Sequence, residues 1–61
     1  MKAREIIRLL EDDGWRFDSQ TGSHRHFKHP VKPGKVTVPM HGSKDLQGRI
    51  LHSILKQAGL K

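Results

Sequence analysis

The sequence predicts a small α+β domain in the order helix, strand, strand, strand, helix. Two observations predict it: apolar residues recur every three or four positions near both ends of the chain, and they alternate with polar residues in the middle. Glycine and proline separate these segments. Because 61 residues can surround only one core, we expect a single domain over residues 1–61, with any functional site on an open surface.

The first helix is predicted over residues 2–13. Its apolar positions share one stripe of the helix surface, and they are Ala3, Ile6, Ile7 and Leu10. Gly14 ends the helix, and residues 15–18 then alternate large apolar with polar side chains, as a strand does. Residues 19–22 have turn composition, so we expect residues 23–29 to return as an antiparallel second strand.

The third strand is predicted over residues 35–38, where β-branched residues alternate after a segment broken by two prolines. The three strands should form an antiparallel meander. After a loop, the second helix is expected from about Asp45 to Gly59, with Ser43 or Asp45 as N-cap and with Gly48 weakening its first turns. Its apolar positions are Leu46, Ile50, Leu51, Ile54, Leu55 and Ala58.

Both helices should cover one face of the sheet, and strand alternation then divides the side chains between two faces. The residues expected toward the helices are Trp15, Phe17, Phe27, Val36 and Val38. The residues expected on the opposite, open face are Arg16, His24, His26, Lys28, Lys35 and Thr37. Arg25 shares the inward parity of Phe27, which requires an edge position, a bulge or a late strand start. The open face is therefore expected to be a cationic platform.

The overall charge favours a polyanionic partner. Twelve Lys and Arg against six Asp and Glu give a formal net charge of +6, which attracts nucleic acid at low salt. The chain has no cysteine and therefore does not need an oxidising compartment. It also shows no signal-peptide pattern and no apolar run long enough to span a bilayer, so we expect a cytoplasmic protein.

Three ordered segments carry a family resemblance. They are Gly22-Ser23-His24-Arg25-His26-Phe27, then Val36-Thr37-Val38-Pro39-Met40-His41, and finally Ile54-Leu55-Lys56-Gln57-Ala58-Gly59-Leu60. Together with the N-terminal helix, they make the chain resemble the HicA toxin family nearly from end to end. The resemblance implies a fold like the double-stranded-RNA-binding domain, cleavage of messenger RNA by an essential motif histidine, here His24, and neutralisation by a HicB-type antitoxin.

The expected chemistry needs a group that takes a proton from a ribose 2′-hydroxyl near neutral pH, which suits a histidine. We expect metal-independent cleavage without any cofactor, leaving a 2′,3′-cyclic phosphate or its hydrolysis product. For the proton delivered to the leaving 5′-oxygen, the candidates are His26, His41, a lysine or water. The residues expected to bind RNA or to shape its site are Gly22, Ser23, His26, Lys28, Arg16 and Lys35.

Other interpretations are weaker. His24, His26 and His29 suggest a metal site, but the sequence nearby offers no cysteine or carboxylate, and the surrounding charge is positive. His41 and His52 are expected to be ordinary surface residues. The aromatic residues are expected in the core rather than stacked on bases. As a whole, the protein could instead be a non-catalytic RNA-binding module of the same fold or a structural ribonucleoprotein component.

Overall fold

A computed structural model describes residues 1–40 and 45–61 and confirms the expected order of elements. The elements are α1 (Ala3–Asp12), β1 (Arg16–Thr21), β2 (His24–Lys28), β3 (Lys35–Pro39) and α2 (Arg49–Gln57). The strands form an antiparallel sheet in the order β1-β2-β3, which is the predicted meander. This α+β arrangement is like that of the double-stranded-RNA-binding domain. No helix within the described residues is long and apolar enough to cross a membrane.

Helix α1 begins and ends as its sequence indicates. The Glu5 carboxylate accepts a hydrogen bond from the backbone nitrogen of Lys2 at 2.7 Å, which satisfies one free N–H group at the start of the helix. Gly14 follows the helix with a φ of 107°, a backbone conformation that residues with a side chain rarely adopt. The helix therefore buries the predicted stripe and turns directly into the sheet.

The core lies between the helices and strands β2 and β3. Its buried residues are Ala3, Ile6, Leu10, Trp15, Phe27, Val36, Val38, Leu46, Ile54 and Ala58. Both helices pack against β3, whereas every residue of β1 is exposed. The helix layer therefore covers two strands and leaves the third uncovered.

The prediction that Phe17 belongs to the core is wrong. Phe17 pairs with Phe27 across the strands and shares its face, but 57% of its surface is exposed. The two rings meet edge to face with centroids 6.2 Å apart. Strand alternation predicts the face of Phe17 correctly. It cannot predict that both helices pack on β3 and leave β1 uncovered.

The first turn is shorter than predicted. Strand β1 continues through Thr21, so the residues assigned to a turn at 19–21 are extended and only Gly22 and Ser23 connect the strands. Gly22 has a φ of 56°, as the first central residue of a tight type II′ hairpin requires. The expected strand of residues 23–29 is likewise reduced to His24–Lys28.

Helix α2 begins later than predicted, because residues 45 and 46 have other partners. Asp45 forms an antiparallel bridge with Lys2, and the backbone nitrogen of Leu46 donates to the carbonyl of Met1 at 2.6 Å. Gly48 is the N-cap, so Asp45 is not; Ser43 lies outside the described residues. Of the apolar positions expected in this helix, Ile50 remains 49% exposed.

Strand β1 contains a bulge, but this bulge does not change the inward parity of Arg25 in the second strand. Phe17 pairs with Phe27 and Ser19 with His26, so Asp18 is the extra residue. Arg25 does lie on the side of the helices, opposite Val38. It is only half-buried there, as the second residue of the central strand, and its Nε donates to the side-chain oxygen of Gln20 at 3.4 Å.

A group of polar residues, the helix-end cluster of Asp13, His29 and Lys32, joins the C-terminal ends of both helices. The ammonium of Lys32 contacts the Asp13 carboxylate and donates to the carbonyl of Ala58 at 3.0 Å. The Lys32 hydrogen bond lowers the pKa of Asp13 below its ordinary value of 3.8, although desolvation opposes this shift. Trp15 donates to the same carboxylate at 3.2 Å.

Candidate functional site

The strand register arranges the open face in three cross-strand rows. The rows are Arg16–Lys28–Lys35, Ser19–His26–Thr37 and Thr21–His24–Pro39. Directly opposed residues of an antiparallel sheet point to the same side, so these side chains share one surface. The register thus brings together all six residues that strand alternation assigns to the open face.

His24 begins β2 immediately after the tight turn and is exposed. Its cross-strand partner on β1 is Thr21. Within residues 1–40 and 45–61 the imidazole has no hydrogen-bond partner. An imidazole with free nitrogens can accept a proton from a bound molecule without first breaking an internal contact.

His26 lies in the middle row and is held from both sides. Its Nδ1 is 2.8 Å from the hydroxyl of Thr37, and its Nε2 is 3.1 Å from the hydroxyl of Thr21. The first contact is partly buried and the second is exposed. The ring is therefore fixed at the sheet centre, beside the row that contains His24.

The cations of the open face have different surroundings. The ammonium of Lys28 lies 3.9 Å from the carboxylate of Asp18, the bulge residue of β1. Lys35 is exposed and forms no ion pair with any other described residue. The guanidinium of Arg16 turns toward α1, where it donates to the carbonyls of Trp15 at 3.1 Å and Glu11 at 3.4 Å. Lys28 and Lys35 are thus the more available cations.

Gly22 and Ser23 form the turn that presents His24. The side-chain amide of Gln20 donates to the carbonyl of Gly22 at 2.9 Å, and the carbonyl of Ser23 accepts from the backbone nitrogen of Met40 at 2.6 Å. The turn is therefore attached to the end of β3. His41, the other candidate near this end, lies outside the described residues.

His29 does not join the other two strand histidines. Its Nε2 donates to the carbonyl of Asp13 at 2.7 Å, and its Nδ1 accepts from the backbone nitrogens of Val31 and Lys32, each at 3.0 Å. These contacts hold it within the helix-end cluster, away from the open face. In the part of the chain that the structure describes, no three His, Cys, Asp or Glu residues are grouped as metal ligands would be.

The sequence interpretation missed two residues of this surface. Thr21 was assigned to a turn, and Asp18 was given no place on the open face. The signal for Thr21 is the tight Gly22-Ser23 pair, because a two-residue hairpin loop makes the residues on either side of it cross-strand partners. The signal for Asp18 is strand alternation, because Asp18 has the same parity as Arg16 in the predicted first strand.

The fold and its surface define a small α+β protein of the double-stranded-RNA-binding type that displays two histidines and several cations on an uncovered sheet. A family model described as the HicA toxin of bacterial toxin-antitoxin matches residues 3–60. The chain is also 39% identical over 61 residues to a probable mRNA interferase HicA of Pseudomonas fluorescens (strain Pf0-1), covering 100% of this chain and 98% of that protein. The chain belongs to the HicA toxin family.

Proposed function

We propose that this toxin is an endoribonuclease that cleaves messenger RNA on the open face of its sheet, with His24 as the general base. The observation that carries the proposal is the state of the His24 side chain. It is exposed, it has no hydrogen-bond partner among the described residues, and it shares a surface with Lys28 and Lys35. A relative that this chain matches over 98% of its length is named a probable mRNA interferase.

In this proposal the imidazole of His24 removes the proton from a ribose 2′-hydroxyl. The 2′-oxygen then forms a bond to the adjacent phosphorus while the bond from phosphorus to the 5′-oxygen breaks. The products are a 2′,3′-cyclic phosphate and a 5′-hydroxyl end. The nucleophile belongs to the RNA itself, so the reaction needs no activated water and no metal or other cofactor.

Lys28 and Lys35 supply the positive charge. Each can pair with a phosphate oxygen and release counterions, and the same charges stabilise the negative phosphorane that forms in the transition state. Arg16 reinforces this row from the edge strand, because its guanidinium has donors beyond those used on the two carbonyls. Gly22 and Ser23 contribute by holding the turn that presents the base.

The partner of this toxin is an antitoxin protein of the HicB type that binds the open face and covers His24. The strands carry a single carboxylate, Asp18, against several cations, so the antitoxin surface that covers them should be acidic.

The toxin acts in the cytoplasm, where messenger RNA is translated. Premixing the toxin with increasing amounts of purified antitoxin should reduce the cleavage rate in the same proportion as it reduces RNA binding.

The proposal is tested by cleavage of a defined messenger RNA in excess chelator. The native protein is compared with His24→Ala and with His52→Ala, which removes an exposed histidine from α2 and serves as the matched control. Only the native protein and the α2 variant should cut. A 2′-deoxy residue at the cleaved position should block cutting, and the 5′-fragment should carry a cyclic phosphate.

Cutting by His24→Ala at the native rate would remove His24 as the base. Binding of the RNA by the native protein without any cleavage would show a non-catalytic RNA-binding module of the same fold. Cleavage that stops in chelator and returns with a divalent ion would contradict the metal-independent mechanism.

A further inference from the structure

We propose that His26 is the general acid of this reaction and that Thr37 is its positioning residue. The proposal rests on the proposed ribonuclease function and supplies the proton donor that His24 alone does not provide. Cleavage leaves a 5′-alkoxide unless a proton reaches that oxygen as its bond to phosphorus breaks. His26 occupies the centre of the same surface and carries two ring nitrogens at defined positions.

The distance between His24 and His26 fits their roles as general base and general acid. They are alternate residues of β2, so they share a face and their Cα atoms are about 7 Å apart. That spacing leaves room for one phosphate between the two imidazoles. In-line displacement requires the base and the acid on opposite sides of the phosphorus, since the entering and leaving oxygens lie opposite each other.

The hydroxyl partners of His26 permit both of its protonation states. A threonine hydroxyl either donates or accepts a hydrogen bond, depending on how it rotates. When the imidazole is cationic, Thr21 and Thr37 can both accept from it; when it is neutral, one hydroxyl turns and donates instead. The ring therefore keeps its orientation before and after it gives up a proton, as an acid used in every turnover must.

His29 shows the opposite arrangement in the same molecule. Its Nδ1 accepts from two backbone N–H groups, which cannot turn into acceptors. The hydrogen bonds of His29 are therefore fixed in direction, whereas the hydroxyls beside His26 can rotate. The contrast separates a histidine that is held by the backbone from one whose hydrogen bonds can reverse.

The contacts also indicate which nitrogen delivers the proton. Nδ1 is the partly buried nitrogen and is anchored on Thr37, whereas Nε2 faces the exposed hydroxyl of Thr21. Thr21 is the cross-strand partner of His24, so Nε2 is directed toward the row that holds the base. In the reaction the Nε2 proton passes to the 5′-oxygen, leaving His26 neutral and His24 cationic. Proton exchange with water then returns His26 to its cationic form and His24 to its neutral form for the next turnover.

The test uses an RNA whose mapped cleavage position carries a sulfur in place of the bridging 5′-oxygen. A thiolate leaves without protonation, so a missing general acid matters little for this linkage. His26→Gln should cleave the normal linkage about 100- to 10,000-fold more slowly than the native protein and the sulfur linkage within a few fold of it. His24→Ala should fail on both linkages, because loss of the base is not repaired by a better leaving group.

Thr37 is tested in the same assay. Thr37→Val removes the hydroxyl that orients Nδ1, and we expect about a tenfold loss on the normal linkage that the sulfur linkage restores. Thr37→Ser keeps a hydroxyl and should stay near the native rate. Affinities for a 2′-deoxy analogue, measured for all variants, should agree within about threefold.

Several outcomes would overturn the assignment of His26. Cleavage of the normal linkage by His26→Gln at the native rate would do so. An equal loss of rate on both linkages would also do so, as would a loss of rate that weaker binding of the 2′-deoxy analogue explains. If native protein cuts neither linkage, the ribonuclease proposal fails together with its acid. If His24→Ala cuts while His26→Gln shows the sulfur rescue, only the base assignment fails.

Discussion

The ammonium of Lys28 and the carboxylate of Asp18 lie 3.9 Å apart on the open face, with exposed side-chain fractions of 64% and 38%. Asp18 is the only acidic residue in the three strands and is the extra residue of the β1 bulge. The pair is too exposed to contribute much stability. We expect this pair to oppose phosphate binding at Lys28.

Asp18→Asn should therefore increase the affinity for RNA. We expect up to about a fivefold gain at low salt, which corresponds to the upper range for an exposed ion pair. Fluorescence anisotropy in a His24→Ala background, where RNA stays intact, measures the affinity. Asp12→Asn is the matched control, because it changes net charge equally on the surface of α1, where Asp12 pairs with Arg8. Equal gains from both substitutions would indicate a general charge effect.

Lys35→Gln should weaken RNA binding and reduce its salt dependence. Lys35 has no ion pair within the described residues, so a bound phosphate does not have to displace an internal carboxylate. Loss of one phosphate contact should lower the slope of log affinity against log salt by about 0.7 for single-stranded RNA. Lys56→Gln, on α2 across the sheet, should leave the slope unchanged. The same slope in both variants would remove Lys35 from the interface.

Gly14→Ala should destabilise the protein more than Gly34→Ala. Both glycines have a positive φ, so each substitution costs about 1–2 kcal/mol in backbone strain. A Cβ at Gly14 would in addition lie 2.6 Å from Nε2 of His29, whereas a Cβ at Gly34 meets nothing within 4 Å. Urea denaturation measures both free energies of unfolding. Equal losses would show that the His29 ring moves away without cost.

The Asp13–Lys32 pair should make stability depend on acid pH. Because the pKa of Asp13 is lowered on folding, its contribution is complete above the unfolded pKa, near 3.8, and is lost as pH falls through the lower folded value. The difference in unfolding free energy between native protein and Asp13→Asn should therefore be largest above pH 4 and should shrink below it. Asp12→Asn, at an exposed pair, should show a small difference throughout. A constant difference for Asp13→Asn would contradict the linkage.

Most of the fold can be predicted from the sequence, because its signals are local. The stripe of α1 follows from helical spacing, and the shared face of His24 and His26 follows from the alternation of any strand. The meander follows from short connections between adjacent strands. The turn at Gly22 and Ser23, by contrast, was predicted too long, because the polar residues before it have turn composition but pair within β1.

The sequence by itself therefore determined the order of elements, the two faces of the sheet and, through three ordered segments, the family resemblance. Only the tertiary structure decided which surfaces the helices cover and which side chains meet across strands. Phe17 is exposed because both helices pack on β3, and α2 starts at Arg49 because Leu46 pairs with the N-terminus. The hydroxyls on either side of His26 come from β1 and β3. The tight Gly22-Ser23 turn indicates the place of Thr21, but the contact with Thr37 depends on the register of β3, which no local pattern records.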